Sequence, residues 1–350
     1  MEISTPGRIC LFGEHQDYLG LPVIPMAISL RARFIGENRL DRKFIINKPD
    51  LKEVESFSLD DLRYTKPRDY FKSGVKVCLD EGLTFSSGFK CELTSNIPMK
   101  AGTGSSSAVT VGWIHFLSKM ADKPADWDQR KMGSLAYMAE VLEFNEPGGM
   151  MDQYSTAIGN LIYLEFEPKI SIESMKPNLG TFVLGDSCEP KDTMGILQRC
   201  RNSRLTIIEK IQLQDPEFSL HRIALDEISQ YNLPADETTL LSGTIQNRNL
   251  LRHALPELKK AEPDHKKIGR LLSEHHTILR DVLGVSTHKI EMMLDSAMDA
   301  GALGGKINGS GGGGCMFAYV PQNPEKVVEA IEKTGGKAYI IHSEVGTRID

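Results

Sequence analysis

A chain of 350 residues with 40% hydrophobic residues is long enough for two domains that share a cleft, and a net charge of -6 gives no sign of a nucleic acid or anionic membrane partner. Its six cysteines (Cys10, Cys78, Cys91, Cys188, Cys200 and Cys315) form no CxxC or Cys/His cluster, which argues against zinc and for free thiols in a reducing cytoplasm. The opening MEISTPGRICLFGEH has no basic segment followed by an apolar run, and no stretch reaches the roughly 18 apolar residues of a membrane span, so a soluble, cytoplasmic protein is expected.

In chain order, strands are predicted over Arg8–Phe12, Ser29–Phe34 and Lys43–Ile46, and Phe89–Thr94 alternates as a half-buried strand does. A Gly/Ser-rich loop, Asn96–Ser107, then leads into a helix over Ala108–Met120. Further helices are expected over Gln129–Glu143 and Met150–Ala157, followed by a strand over Leu161–Phe166. Strand Thr181–Leu184 opens a mostly helical half, with helices over Met194–Gln212, Leu240–Glu262, Lys266–Leu283 and Ser286–Ala300. A glycine-rich strand region, Gly304–Val320, precedes helix Pro324–Thr334 and strand Lys337–His342. The result is an α+β chain with a junction between about Glu165 and Thr181, and no internal repeat.

Three loops carry chemistry. Gly102-Thr-Gly-Ser-Ser-Ser-Ala108 stands at a helix start, where small residues admit a ligand to the backbone and the unpaired N–H groups of the first turn face outward. Its hydroxyls suit phosphate oxygens or a metal; a flexible turn with a serine N-cap fits the same residues, and no Gly-Lys-Ser/Thr makes it a Walker A loop. Gly304–Cys315 holds seven glycines in twelve positions, which points to close backbone approach, or to a bulged strand turn. Pro6–Gly20 delivers Glu14, His15 and Asp17 from an apolar strand into a tight turn. Three hydrogen-bonding side chains within four residues suit a polyhydroxylated ligand; a solvated turn is the other reading, and no further His/Cys cluster supports a metal there.

Together these loops resemble the three signature motifs of the GHMP kinase superfamily. The first, Pro6-Gly-Arg-x-x-Leu-x-Gly-Glu-His-x-Asp-Tyr18, followed by Val23-Ile-Pro-Met-Ala-Ile28, looks specifically galactokinase-like. Gly149-Met-Met-Asp-Gln153 is similar to the galactokinase stretch that carries the catalytic aspartate, and Ser273–Ser286 to the segment before the third motif. The resemblance implies a two-domain α+β fold: a ribosomal protein S5 domain 2-like N-terminal domain over 1–170 and a ferredoxin-like C-terminal domain over 171–350. It implies ATP and Mg2+ as cofactors, with Gly102, Gly104, Ser105, Ser106 and Ser107 on the ATP phosphates and Ser107 and Glu140 around magnesium. Asp152 and Arg8 would be catalytic, Asp152 facing the hydroxyl to be phosphorylated. Glu14, His15 and Asp17 would hold sugar hydroxyls, Gly149 would add a backbone contact, and Gly309–Gly314 would brace the phosphate loop.

The implied activity is ATP-dependent phosphorylation of the anomeric C1 hydroxyl of galactose or a related sugar, with no nucleic acid or membrane partner. Two alternatives remain: a kinase of a non-sugar alcohol such as mevalonate, and a catalytically silent sugar and ATP sensor. The sequence departs from galactokinases at Cys10, where they have Asn, and at Gln16, where they have Thr. In Asp192–Arg204 it also lacks the tyrosine that touches the sugar in galactokinases. Tyr70 and Phe71 are candidates for gripping adenine.

Overall fold

The computed structural model describes residues 1–350. Two long strands begin the chain, β1 (Glu2–Phe12) and β2 (Ile24–Asn38), paired antiparallel. Strands β3 (Lys43–Lys48) and β4 (Glu53–Ser58) form a hairpin; helix α1 (Tyr70–Asp80) then crosses to β5 (Phe89–Ser95), which lies parallel to β3. Helices α2 (Ser105–Met120) and α3 (Gln129–Tyr137) follow, the latter running into a π turn (Met138–Leu142), and then α4 (Met151–Ile158). A second hairpin, β6 (Leu161–Glu165) and β7 (Ser171–Met175), attaches to β2.

Beyond it come β8 (Phe182–Asp186), α5 (Thr193–Gln212), α6 (Ala235–Leu258), α7 (His265–Asp281) and α8 (His288–Asp299). The chain ends with β9 (Gly305–Ile307), β10 (Cys315–Tyr319), α9 (Glu325–Lys333), β11 (Lys337–Ile341) and β12 (Arg348–Ile349). β12-β1-β2-β5-β3-β4 run in that order through an eight-stranded sheet, while β11-β8-β10-β9 make a separate four-stranded antiparallel sheet. The passage between sheets falls between Met175 and Phe182, because β7 pairs back onto β6. The last strand also returns to the first sheet beside β1.

Apolar burial explains the layering. One core packs Phe34, Phe44, Phe89, Trp113 and Phe116 between the large sheet and α1–α3. A second joins the two sheets: Ile9, Leu11 and Met26 of β1 and β2 meet Phe182, Phe317 and Tyr319 of the small sheet and Leu251 and Leu272 of α6 and α7. The cleft of about 840 Å³ opens along this joint, where loops from both sheets converge. No helix is long and apolar enough to cross a membrane.

Candidate active site

The floor of the cleft is set by β1. Its Arg8 is 4% exposed and points at the first turn of α4, donating from Nε to Asp152 Oδ1 at 2.8 Å and from Nη2 to Oδ2 at 2.6 Å. Such a bidentate pair fixes the carboxylate in orientation as well as in charge. The third arm of the guanidinium, Nη1, donates to the carbonyl of Gly102, and the Arg8 amide to Thr103 O at 2.9 Å. Burial alone would lower the Arg8 pKa, but the carboxylates of Asp152 and Glu14 outweigh it and raise it.

Above Arg8, α2 begins at Ser105, so Ser105, Ser106 and Ser107 form its first turn rather than a loop before it. Gly104, in the left-handed region at φ 67°, is the N-cap, and no side chain caps the helix. The serine N-cap is thus not formed, and the free N–H groups of a sixteen-residue helix face the cleft, an arrangement suited to anions. The glycine-rich loop braces this turn. Asn308 Nδ2 donates to Gly102 O at 2.7 Å and Cys315 N to Ala101 O at 2.7 Å. A Cβ on Gly309 would stand 2.5 Å from Gly102 O, so only glycine permits that contact.

Glu140 comes from the π turn, which pushes its side chain inward beside α2 and α4. Burial raises its pKa, while hydrogen bonds from Ser106, Gln153 and Ser107 oppose the shift. Gln153 Nε2 bridges Glu140 Oε2 at 2.7 Å and Ser107 Oγ at 3.2 Å, and its Oε1 is buried without a partner. The sequence motifs assign Gln153 no role, and its place one residue after Asp152 is the only signal for it.

On the far side stand the residues of the first motif. Asp17 accepts from the Met151 amide at 3.4 Å and lies against Gly149, where a Cβ would be 2.1 Å from Oδ2. Burial, and next the charge of Asp152, lift the Asp17 pKa from 3.8 to about 6. Glu14 is 2% exposed and forms a buried ion pair with Lys306 Nζ at 2.8 Å, leaving its second oxygen without a protein partner. His15 lines the cleft, buried in the turn of the first motif. Its Nδ1 accepts from Tyr18 Oη at 2.8 Å and its Nε2 donates to Ser310 O at 3.1 Å, so both nitrogens are engaged inside the protein. Burial, then the charge of Arg204, lower its pKa to about 3, and the ring is neutral. Tyr70 lines the cleft with its hydroxyl on Glu146 at 2.9 Å, whereas Phe71 belongs mainly to the core, edge-on to Trp113.

The raised Asp17 pKa gives a first prediction. Between pH 3.8 and about 6 the unfolded chain releases this proton while the folded chain keeps it, so stability falls as pH rises through that window and stays lower at pH 7. Asp17→Asn should therefore raise stability at pH 7 by about 1–2 kcal/mol after allowance for solvent screening, and leave it unchanged near pH 3.5. Thermal unfolding at the two pH values checks this; a variant less stable than wild type at pH 7 refutes it.

Sequence comparison places these loops among known proteins. Residues 69–160 match the GHMP kinases N terminal domain, residues 252–337 the GHMP kinases C terminal domain, and residues 2–37 the galactokinase galactose-binding signature, together more than half the chain. The chain belongs to the GHMP kinase family. It is therefore a phosphotransferase that acts on an alcohol group, with ATP as the phosphate donor of its family. The kinase is 29% identical to a mevalonate kinase of Thermococcus gammatolerans, over 99% of this chain and 97% of that one. It is 26% identical to a galactokinase of Fusobacterium nucleatum, over 96% of this chain and 88% of that one. A Lactococcus lactis galactokinase complexed with galactose shares the two-domain fold with a TM-score of 0.87 at 20% identity, covering 100% of this chain and 95% of that one.

Proposed function

We propose that this kinase transfers the γ-phosphate of ATP to the anomeric C1 hydroxyl of galactose or a closely related sugar. The observation that carries the reading is the Asp17 carboxylate seated against Gly149, beside the Arg8–Asp152 pair, within a segment that matches a galactose-binding signature. Asp17 and the free oxygen of Glu14 would accept from adjacent sugar hydroxyls, while neutral His15 braces the turn that carries both. Asp152, held by Arg8, would orient the C1 hydroxyl and accept its proton. The amides and hydroxyls of Ser105, Ser106 and Ser107, with the backbone of Gly102 and Gly104, would hold the phosphates at the N-terminus of α2.

The residues also fit a magnesium ion. Glu140 is a buried carboxylate with no cationic partner, and the orphaned Gln153 Oε1 marks polar space beside it. Glu140 and Ser107 Oγ would hold the ion, which when bound neutralises phosphate charge. Glu140→Ala should then lower turnover and raise the magnesium concentration required for ATP binding by about 10–100-fold. Unchanged ATP binding over a magnesium titration would remove Glu140 from the site.

A mevalonate-type acceptor is the second reading, favoured by mevalonate kinases of 27–29% identity that match 99% of the chain. ADP release measured over galactose, related aldoses, uronic acids, amino sugars and mevalonate decides between them, with phosphorus–proton coupling in NMR fixing the position of the phosphate. A C1 phosphate on a sugar is expected. Turnover of mevalonate alone, or phosphate on C6, would overturn the proposal.

A further inference from the structure

We propose that Lys191 is a further catalytic residue, contacting the transferred phosphoryl group from the small-sheet side of the cleft; this rests on the reading of the α2 N-terminus as the phosphate site. Lys191 lies between β8 and α5, outside every motif singled out in the sequence. Its Nζ reaches back across the joint to the phosphate loop, close enough to Gly102 that a Cβ there would stand 2.8 Å away.

The cations lining the cleft differ in what they have left to give. Arg8 is committed to Asp152 and Gly102 O, Lys48 to Glu53 and Glu55, and Arg68 to Glu146. Lys100 and Lys337 are exposed. Lys191 is half-buried with no carboxylate in ion-pair range, and its one hydrogen bond goes to the neutral Ser310 Oγ at 3.0 Å. A partly desolvated ammonium with two unused N–H donors is costly unless an anion completes it. A phosphate at the end of α2 is an anion in the right place.

The groups facing Lys191 support this. Burial, then the charge of Arg8, lowers its pKa to about 8, against the opposing influence of Cys315 on β10, Glu14 in the first motif and Asp152 on α4. Arg8 and Lys191 flank Gly102, the first from β1 and the second from the loop after β8. In the transfer, the bond from the γ-phosphorus to the β–γ bridging oxygen breaks as the bond to the acceptor oxygen forms, and the acceptor proton passes to Asp152. Lys191 keeps its proton throughout and donates hydrogen bonds to non-bridging oxygens of the moving group, where charge must be neutralised. Because Ser310 joins Lys191 Nζ through its hydroxyl and His15 through its carbonyl, the contact forms only when the third motif and the sugar loop are in register.

The test compares wild type, Lys191→Met and Lys191→Arg. Calorimetry with ATP and with ADP, in the absence of any acceptor, should show Lys191→Met losing about 10–100-fold in ATP affinity while ADP affinity stays within about twofold. With acceptor, kcat of Lys191→Met should fall about 10²–10³-fold. Lys191→Arg should recover part of that loss and should lack the decline in kcat/KM for ATP that wild type shows above about pH 8. Equal losses for ATP and ADP, or wild-type kcat in Lys191→Met, would overturn the proposal. The binding measurements need no acceptor, so an error in the sugar assignment leaves them unaffected.

Discussion

Asp152→Asn should lower kcat by about 10²–10⁴-fold, the range contributed by a general base, while both substrates still bind. Asparagine keeps the size and one acceptor oxygen, so Arg8 retains a partner, but the negative charge proposed to orient the acceptor and take its proton is gone. The geometry makes this a demanding substitution. The Arg8 side chain is 5% exposed and that of Asp152 27%, so the neutral variant leaves a buried guanidinium without its counter-charge. Some loss of thermal stability should accompany the loss of turnover, and saturating ligand should restore part of it. Steady-state kinetics beside direct measurement of ATP and sugar binding separates the two effects. A variant that retains more than about a tenth of wild-type kcat would remove Asp152 from the proton transfer.

The signals that made the cleft legible in the sequence were local ones. Gly102–Ser107 and Gly309–Gly314 have compositions that packing cannot explain, and the structure finds them touching, Gly309 against Gly102. The strands β1, β2 and β5 bury one or both faces and so show apolar runs or alternation. What escaped notice lacked such a signature. Strand β4 is an edge with only Phe57 fully buried, so its residues show no period of two. Helix α1 contains Gly74, a poor helix former, which is there because Trp113 occupies the space where a Cβ would sit. Strand β12 is two residues long and exists only through its pairing with β1. The occupation of His15 was also hidden, since Tyr18, Ser310 and Arg204 come from three separate parts of the chain. Lys191 reaches Ser310 across 119 residues of sequence and Lys306 reaches Glu14 across 292, and sequence spacing carries no record of either contact.

Lys306 carries the largest expected effect on stability. It stands on β9 between Gly305 and Ile307, fully buried, with Nζ 2.8 Å from Glu14 Oε2 and 2.8 Å from Cys10 O, and 5.0 Å from the centre of the Phe317 ring. It ties the first-motif loop to the small sheet through the core that joins the two sheets. Lys306→Met has similar length but leaves the Glu14 carboxylate buried and unpaired, which should cost about 3–5 kcal/mol. The double variant Glu14→Leu/Lys306→Met removes both charges and should recover most of that stability, because the ion pair must offset its own desolvation. Its acceptor affinity should not recover, since the free oxygen of Glu14 has gone with the carboxylate. Chemical denaturation of the single and double variants, read beside sugar binding, checks both halves. A Lys306→Met variant within about 1 kcal/mol of wild type would mean that Glu14 escapes burial on its own, by protonation or by turning to solvent. A double variant that binds sugar normally would instead confine Glu14 to the joint between the sheets and leave Asp17 as the carboxylate that holds the acceptor.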